Sequence, residues 1–398
     1  MEKIETDILV AGGGIAGLSA AARLASEGLD VTCVEPMAEG ERPEDWRTTA
    51  FLMPAVETFR IAGAWTAMQR EAEGLWEMRI VNASGTPPRV RSEGAFKARD
   101  IGEAPFGYNV PNEAARQALS AVLKRGTRSR LLEGVSVEAA TRQGAGAIAR
   151  LSDGRQVSAR LVVAADGRDS RLRDAAGIRA RRWRYGQRAI VLIVQHAEPH
   201  DGVSTEIHRP GGPLVLVPLP DRDGYHRSSV VWLDDAERMN RLMALDDEAL
   251  GNALTADTMG LFGPLTLEGP RASWPIVSQL VPKMYGRRMA LVGEPAHVLP
   301  PTGAQGANMS LADAEALATL VAEAKAAGED IGSDALLQRY SRRRMPEVTA
   351  RVLGVDVLNR FVQSRFAPVQ FIRRLGLGAT TGVPPLKRAV MQIGMGTG

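Results

Sequence analysis

The sequence predicts an α/β protein. A domain built on a parallel sheet is interrupted by a mostly antiparallel β-sheet domain and followed by a helical C-terminal region. Three observations carry this. A β-branched run at 7–11 ends in a glycine cluster; two more apolar strands end in Asp166-Gly167 and Gly293-Glu294; and β-rich runs alternate with turns between them.

The chain has 398 residues, enough for two interlocked domains or one large domain with an insertion. With 44% hydrophobic and 24% charged residues it reads as a globular protein with no disorder signature. The net charge of +3 is small for this length, so nucleic acid is not an expected partner. Cys33 is the single cysteine, sits in an apolar run and reads as a buried packing residue, which suits a reducing, cytoplasmic setting. The N-terminus carries charge and glycines where a signal peptide has its apolar core, and no run approaches the ~18 apolar residues of a membrane span. The five histidines (196, 200, 208, 226 and 297) are scattered with no HExxH or Cys/His cluster, so no protein-bound metal is expected.

The first element is the strand DILVA (7–11), which leads into Gly12-Gly13-Gly14-Ile15-Ala16-Gly17. A helical pattern from Leu18 to Leu24 follows, closed by Gly28, and LDVTCVE reads as a second strand ending in Glu35. Strand, glycine turn, helix, strand and acid in this order are Rossmann-like and fit a pyrophosphate. Gly12 permits the tight turn, Gly14 the approach of backbone to phosphate, Gly17 close helix packing, and Glu35 accepts ribose hydroxyls. This motif alone does not separate FAD from NAD.

The second anchor is LVVAADGRDSRLR (161–173), an apolar strand ending in Asp166-Gly167, with Ser170 as a helix N-cap. The third is LVGEPAHVLPPTGAQGANMS (291–310), in which glycines and prolines precede a helical run from about Asn308. Prolines fix φ, and Gly303 and Gly306 permit unusual backbone angles. Several N–H groups can then converge on a negative charge such as that of a reduced flavin ring.

Together, GGGIAG, AADGRDSRLR and GEPAHVLPPTGAQGANMSLADA resemble the class A FAD-dependent aromatic monooxygenases, the superfamily of para-hydroxybenzoate hydroxylase, over about residues 5–345. DWRTTAF (45–51), FGYNVPNEAARQAL (106–119), WRYGQRAIV (183–191), GGPLVLVPLP (211–220), SSVVW (228–232) and the tail GVPPLKRAVMQIGMG resemble the ubiquinone-biosynthesis hydroxylases within it.

The resemblance implies an NAD(P)H-reduced FAD enzyme. O2 adds to the flavin, and the C4a-hydroperoxide hydroxylates the ring of a polyprenylated phenol. It carries cofactor contacts to Gly12, Gly14, Ala16, Gly17, Glu35, Arg47, Asn112, Val135, Asp166, Gly167, Gly293, Glu294, Pro301, Gly303, Gly306, Ala307 and Asn308. Pro301 and His297 fall at the catalytic edge, although His297 also reads as a histidine that packs and hydrogen-bonds within its turn. Glu294 departs from the family's usual Asp and adds a methylene to a carboxylate expected near the ribityl chain. Three other readings stay open: a hydroxylase of a small soluble phenol, a weakly active FAD-bearing subunit of a ubiquinone-synthesis complex, and a plain FAD reductase that does not oxygenate.

The expected domains are an FAD-binding part (1–74, 106–182 and 276–340), a substrate-binding sheet (75–105 and 183–275) and a helical region (341–398). Tyr185 and Gln187 are either substrate contacts or residues of the domain junction. In the tail, apolar residues recur at helical spacing beside arginines 342, 343, 344, 351, 360, 365, 373 and 374. That is either a solvated helix face or a basic amphipathic region resting on anionic lipid or on another ubiquinone-biosynthesis protein, which would make the protein peripheral on the inner face of the membrane.

Overall fold

A computed structural model describes residues 3–102, 104–364 and 366, with 385, 387, 388 and 391 beyond them. Arg365, Arg373, Arg374 and most of the GVPPLKRAVMQIGMG segment lie outside the described residues.

The N-terminal strand Lys3–Ala11 pairs in parallel with Val31–Glu35 on one side and Gln156–Ala164 on the other. Met289–Leu291 and Ser129–Glu133 extend the parallel sheet at its two ends. Where both faces are covered the strands run apolar, as at residues 8–11 and 161–164, and Val31–Glu35 is buried at every position. Helix Ile15–Ser26 follows the glycine turn, and Gly28, at φ 72°, lets the chain leave it. Helices Asn112–Arg125 and Gln305–Ala326 pack against that first helix. Cys33 is buried in the sheet, and burial pushes its thiol up, out of reactive range.

The second sheet has eight strands and is mostly antiparallel. Its centre is Arg181–His196, flanked by Tyr225–Asp235 and Thr266–Leu280. Glu77–Ser84 and Arg89–Lys97 complete one edge, where Glu77–Ser84 pairs in parallel with Val203–Arg209. One face packs Ile190, Leu192, Val194, Leu214, Leu216, Val230 and Trp232 against helices Ala236–Met243 and Asp247–Asp257. Strand Thr266–Leu280 does not stop at the expected boundary after residue 275. It continues to Leu280, pairing with Arg181–Arg184 and then with His297–Val298.

Helix Asp334–Gln363 is capped by Ser333, whose hydroxyl accepts from Leu336 N–H. It runs from the parallel-sheet core to the antiparallel sheet, where Asn359 donates to Gln187 and Asp356 accepts from Trp183 Nε1 and Tyr185 Oη, both at 2.7 Å. Tyr185 and Gln187 therefore tie the sheet to this helix. No helix among the described residues is long and apolar enough to cross a membrane.

Candidate active site

The parallel strands all end on one side, and there a cleft of about 670 Å³ opens against the second sheet. Its walls are Gly14–Ala16, the segment Arg42–Arg47, Asn112, Arg116, Ala165, Gly167, Ala272, Trp274, the stretch around Val292–Leu299, and Gly306, Ala307, Ser310 and Leu311. Ligands of open α/β sheets sit at such carboxyl edges.

The glycine turn is built by close approach. A Cβ on Gly12, at φ 112°, would lie 2.2 Å from Ala165 O, and one on Gly17 would lie 1.9 Å from Gly12 O. A Cβ on Gly14 would meet nothing, because Gly14 faces the open cleft at the N-terminus of the first helix. This donor-rich helix start beside open space fits a pyrophosphate. Glu35 sits beside Gly13, where its carboxylate pairs with Arg42 at 3.0 Å and accepts from Met37 N–H. Val135 is buried next to it, its N–H on Glu35 O, and neither Glu35 nor Val135 is part of the cleft wall.

Gly293 takes φ 72° and its N–H donates to Asp313 Oδ2. Glu294 is exposed at the cleft wall and Arg47 stands across from it; the Arg47 guanidinium lies 5.3 Å from the Trp274 ring centroid. Arg47 is held charged first by its bond to Asp45 and further by the Glu294 charge. Asn112 joins the same group, donating to Asp45 and accepting from Thr49.

The helix expected from about Asn308 begins at Gln305. The chain passes through two consecutive left-handed residues, Gly303 at φ 62° and Ala304 at φ 54°, and enters the helix at once. Gly306 and Ala307 are thus first-turn residues whose N–H groups have no helical acceptor, and both line the cleft. Asn308 turns the other way. Its side chain accepts from Leu52 N–H and donates to Ala50 O and Ala304 O, fastening the helix start to strand Thr48–Leu52. Pro301 is exposed, and neither it nor Gly303 lies in the cleft wall.

His297 is 2% exposed and lines the cleft. Its Nε2 lies 2.7 Å from Asp313 Oδ2, and Asp313, fully buried, also accepts from Arg344 Nε at 2.7 Å. Burial alone would raise the Asp313 carboxyl, but His297 and Arg344 together hold it below the usual carboxylate range. An ionised Asp313 accepts a hydrogen bond from Nε2–H of the imidazole, which leaves Nδ1 as the second ring nitrogen. Nδ1 is buried without a partner, as is Asp166 Oδ1. Two orphaned polar atoms at the glycine turns fit a hydroxyl-bearing ligand lying along them. Sequence reasoning missed Asp313 and read Arg344 only as one of the tail arginines on a solvated or lipid-facing surface, whereas it is buried against Asp313; each interrupts the apolar stripe of its helix.

The second sheet offers the cleft a different chemistry. Glu206, Val215, Val231, Val191 and Ala272 stand opposite one another in register on five adjacent strands. Residues so paired share a face. The three valines and Ala272 are only half-buried, and Ala272 opens into the cleft beside Trp274. At the far end Glu206 is held by His208 at 2.7 Å.

Three of the five histidines, His196, His200 and His226, gather in space. His196 and His226 pair across neighbouring strands, and His200, Asp221 and His226 bring ligand atoms within 4.8 Å of one another, contrary to the expectation from spacing. His200 is already engaged by Leu219 O and Gly202 N–H, and His226 by Asp221, so the group closes on itself.

Residues 5–353 match the FAD binding domain family. The chain is 35% identical to the ubiquinone hydroxylase UbiL of Rhodospirillum rubrum, over 98% of this chain and 90% of that one. It is 29% identical to the 3-demethoxyubiquinol 3-hydroxylase of Escherichia coli, over 98% of each. Among solved structures, p-nitrophenol 4-monooxygenase PnpA from Pseudomonas putida superimposes with a TM-score of 0.80 at 18% identity, covering 100% of this chain and 99% of that one, a likeness of fold.

Proposed function

Since the chain belongs to the FAD binding domain family, we propose that it is an FAD-dependent monooxygenase that hydroxylates the ring of a polyprenylated phenol in ubiquinone biosynthesis, with NAD(P)H as reductant and O2 as co-substrate. FAD, when bound, supplies oxygen activation; the chain's own residues bind, orient, exclude water and hold protons.

Gly12, Gly14 and Gly17 would bring the first helix's N–H donors to the pyrophosphate, and Asp166, Gly167 and Glu294 would hold other parts of the dinucleotide. The first-turn N–H groups of Gly306 and Ala307 would stabilise negative charge on a flavin ring bound in the cleft. His297 is held by Asp313 with Nδ1 left to accept a hydrogen bond from a ligand hydroxyl.

The observation that carries the substrate class is the half-open row Val215, Val231, Val191 and Ala272, which reaches the cleft beside Trp274. An apolar wall there gains from burying prenyl methylenes, at about 25 cal/mol per Å², and keeps water from the reacting ring. Such a substrate resides in lipid. Support for approach to a bilayer comes from Leu353, Val357 and Leu358, which are 51%, 66% and 41% exposed on the last turns of the long helix.

The test is turnover of purified flavoprotein with NADH or NADPH and labelled O2. The reading requires label in the ring of a short-chain prenyl phenol, little turnover of hydroxybenzoates, and loss of prenyl-phenol turnover with flavin retained in Val231→Glu. Hydroxybenzoate turnover matching the prenyl phenol would sink the substrate class. NAD(P)H oxidation without label in any product would sink the hydroxylase itself. Flotation with anionic vesicles at low salt tests the lipid surface, and protein left at the bottom of the gradient counts against it.

A further inference from the structure

Helix Gln305–Ala326 has a second cavity behind it. Gly306, Ala307, Ser310 and Leu311 face the cleft, whereas Gln305, Asn308, Met309 and Ala312 face a separate pocket of about 350 Å³. The pocket lies between this helix, helix Met53–Ile61 and helix Asp334–Gln363. That volume is at the small end of the ~300–1,000 Å³ typical of small-molecule sites.

The lining is amphiphilic. Ala55, Met309, Ala312 and Ala316 make an apolar floor of mostly short side chains, so the space is left by missing bulk. The rim holds three arginines and two glutamates. Arg344 is spent on Asp313 and Glu347, Arg351 on Glu347 and Gln305, and Glu315 on Arg23. Arg343 makes no hydrogen bond or ion pair among the described residues, so one positive charge at the mouth is uncompensated.

We propose that this pocket is a binding site for a small amphiphile with an anionic carboxylate or phosphate head, its short chain on the alanine floor and its head on Arg343. A neutral apolar molecule would leave Arg343 unmatched, and a free inorganic anion would leave the floor empty. A guanidinium takes a carboxylate or phosphate through paired N–H donors. The site is distinct from the cleft and does not depend on what the cleft hydroxylates.

Calorimetric titration of the flavin-loaded protein tests it. Decanoate should bind with one-to-one stoichiometry, with decanol and inorganic phosphate at least tenfold weaker. Arg343→Glu should weaken decanoate at least tenfold with flavin content unchanged, and Ala312→Leu, which fills part of the floor, should weaken it too. Dihexanoyl phosphatidylglycerol distinguishes a phospholipid from a free fatty acid, and tighter binding of either one supports the site. Equal affinity for decanoate and decanol, indifference to Arg343→Glu, or no binding by any of these amphiphiles overturns the proposal.

Discussion

Replacing Asp313 with Asn keeps the shape of the buried group and removes its charge. In the parent, Oδ1 receives Arg344 Nε, and Oδ2 receives both His297 Nε2 and Gly293 N–H. An amide has one oxygen. If it stays toward Arg344, its NH2 meets the Gly293 N–H, and His297 must change tautomer to accept at Nε2. If it turns, the NH2 opposes the guanidinium. Either way Arg344, 4% exposed, keeps only Glu347 as a charged partner. Removing one member of a buried pair costs about 3–5 kcal/mol, a large part of the ~5–15 kcal/mol that holds a typical domain together. Urea unfolding of the flavin-free protein at pH 7, with flavin affinity measured separately, reads both consequences, and flavin binding should weaken because Gly293 and His297 lose their anchor. The sign with pH follows from the carboxyl being held low. Its contribution is full above the unfolded value near pH 4 and is lost as pH falls through the folded value, so the gap between parent and variant should narrow in acid. A loss under 1 kcal/mol at pH 7, or a gap that is constant down to pH 3, would refute the reasoning.

Three further outcomes are expected. Gly12→Ala combines a left-handed φ with a Cβ 2.2 Å from Ala165 O, so it should purify without flavin; normal flavin content would contradict the close-approach account. Glu294→Ala removes the carboxylate across from Arg47 and should sharply weaken FAD retention, read as cofactor lost on gel filtration, and a variant as fully flavinated as the parent would sink that role. Burial pushes the Tyr185 phenol up to about 12, with Asp356 adding to it; its raised folded value means that it stabilises the fold below the ordinary value near 10 and loses this as pH rises through about 12. In alkaline absorbance titration, Tyr185→Phe should leave the phenolate step near pH 10 intact, and loss of amplitude at that step would show the account wrong.

The fold was legible where chemistry restricts backbone. Glycines that close approach requires and apolar strands buried on both faces announce themselves in one dimension, as Gly12, Gly17 and Val31–Glu35 do. The start of helix Gln305–Ala326 was placed three residues late because Gly306 and Ala307 read as loop, whereas the break falls at Gly303 and Ala304. Asp313 carried a readable sign, a lone acid on a stripe that includes Met309, Leu317 and Leu320, but its meaning needs His297 and Arg344 brought in from elsewhere. The valine row and the histidine group depend on strand register, which spacing along the chain does not encode.

Strand Thr266–Leu280 bears on how the protein can be taken apart. Its first half is hydrogen-bonded into the antiparallel sheet and its last residues to His297–Val298 in the cleft wall. A cut at residue 275 would therefore sever one rod of backbone rather than a linker, leaving each fragment with an unpaired sheet edge. The two regions should unfold in a single step and resist expression as halves.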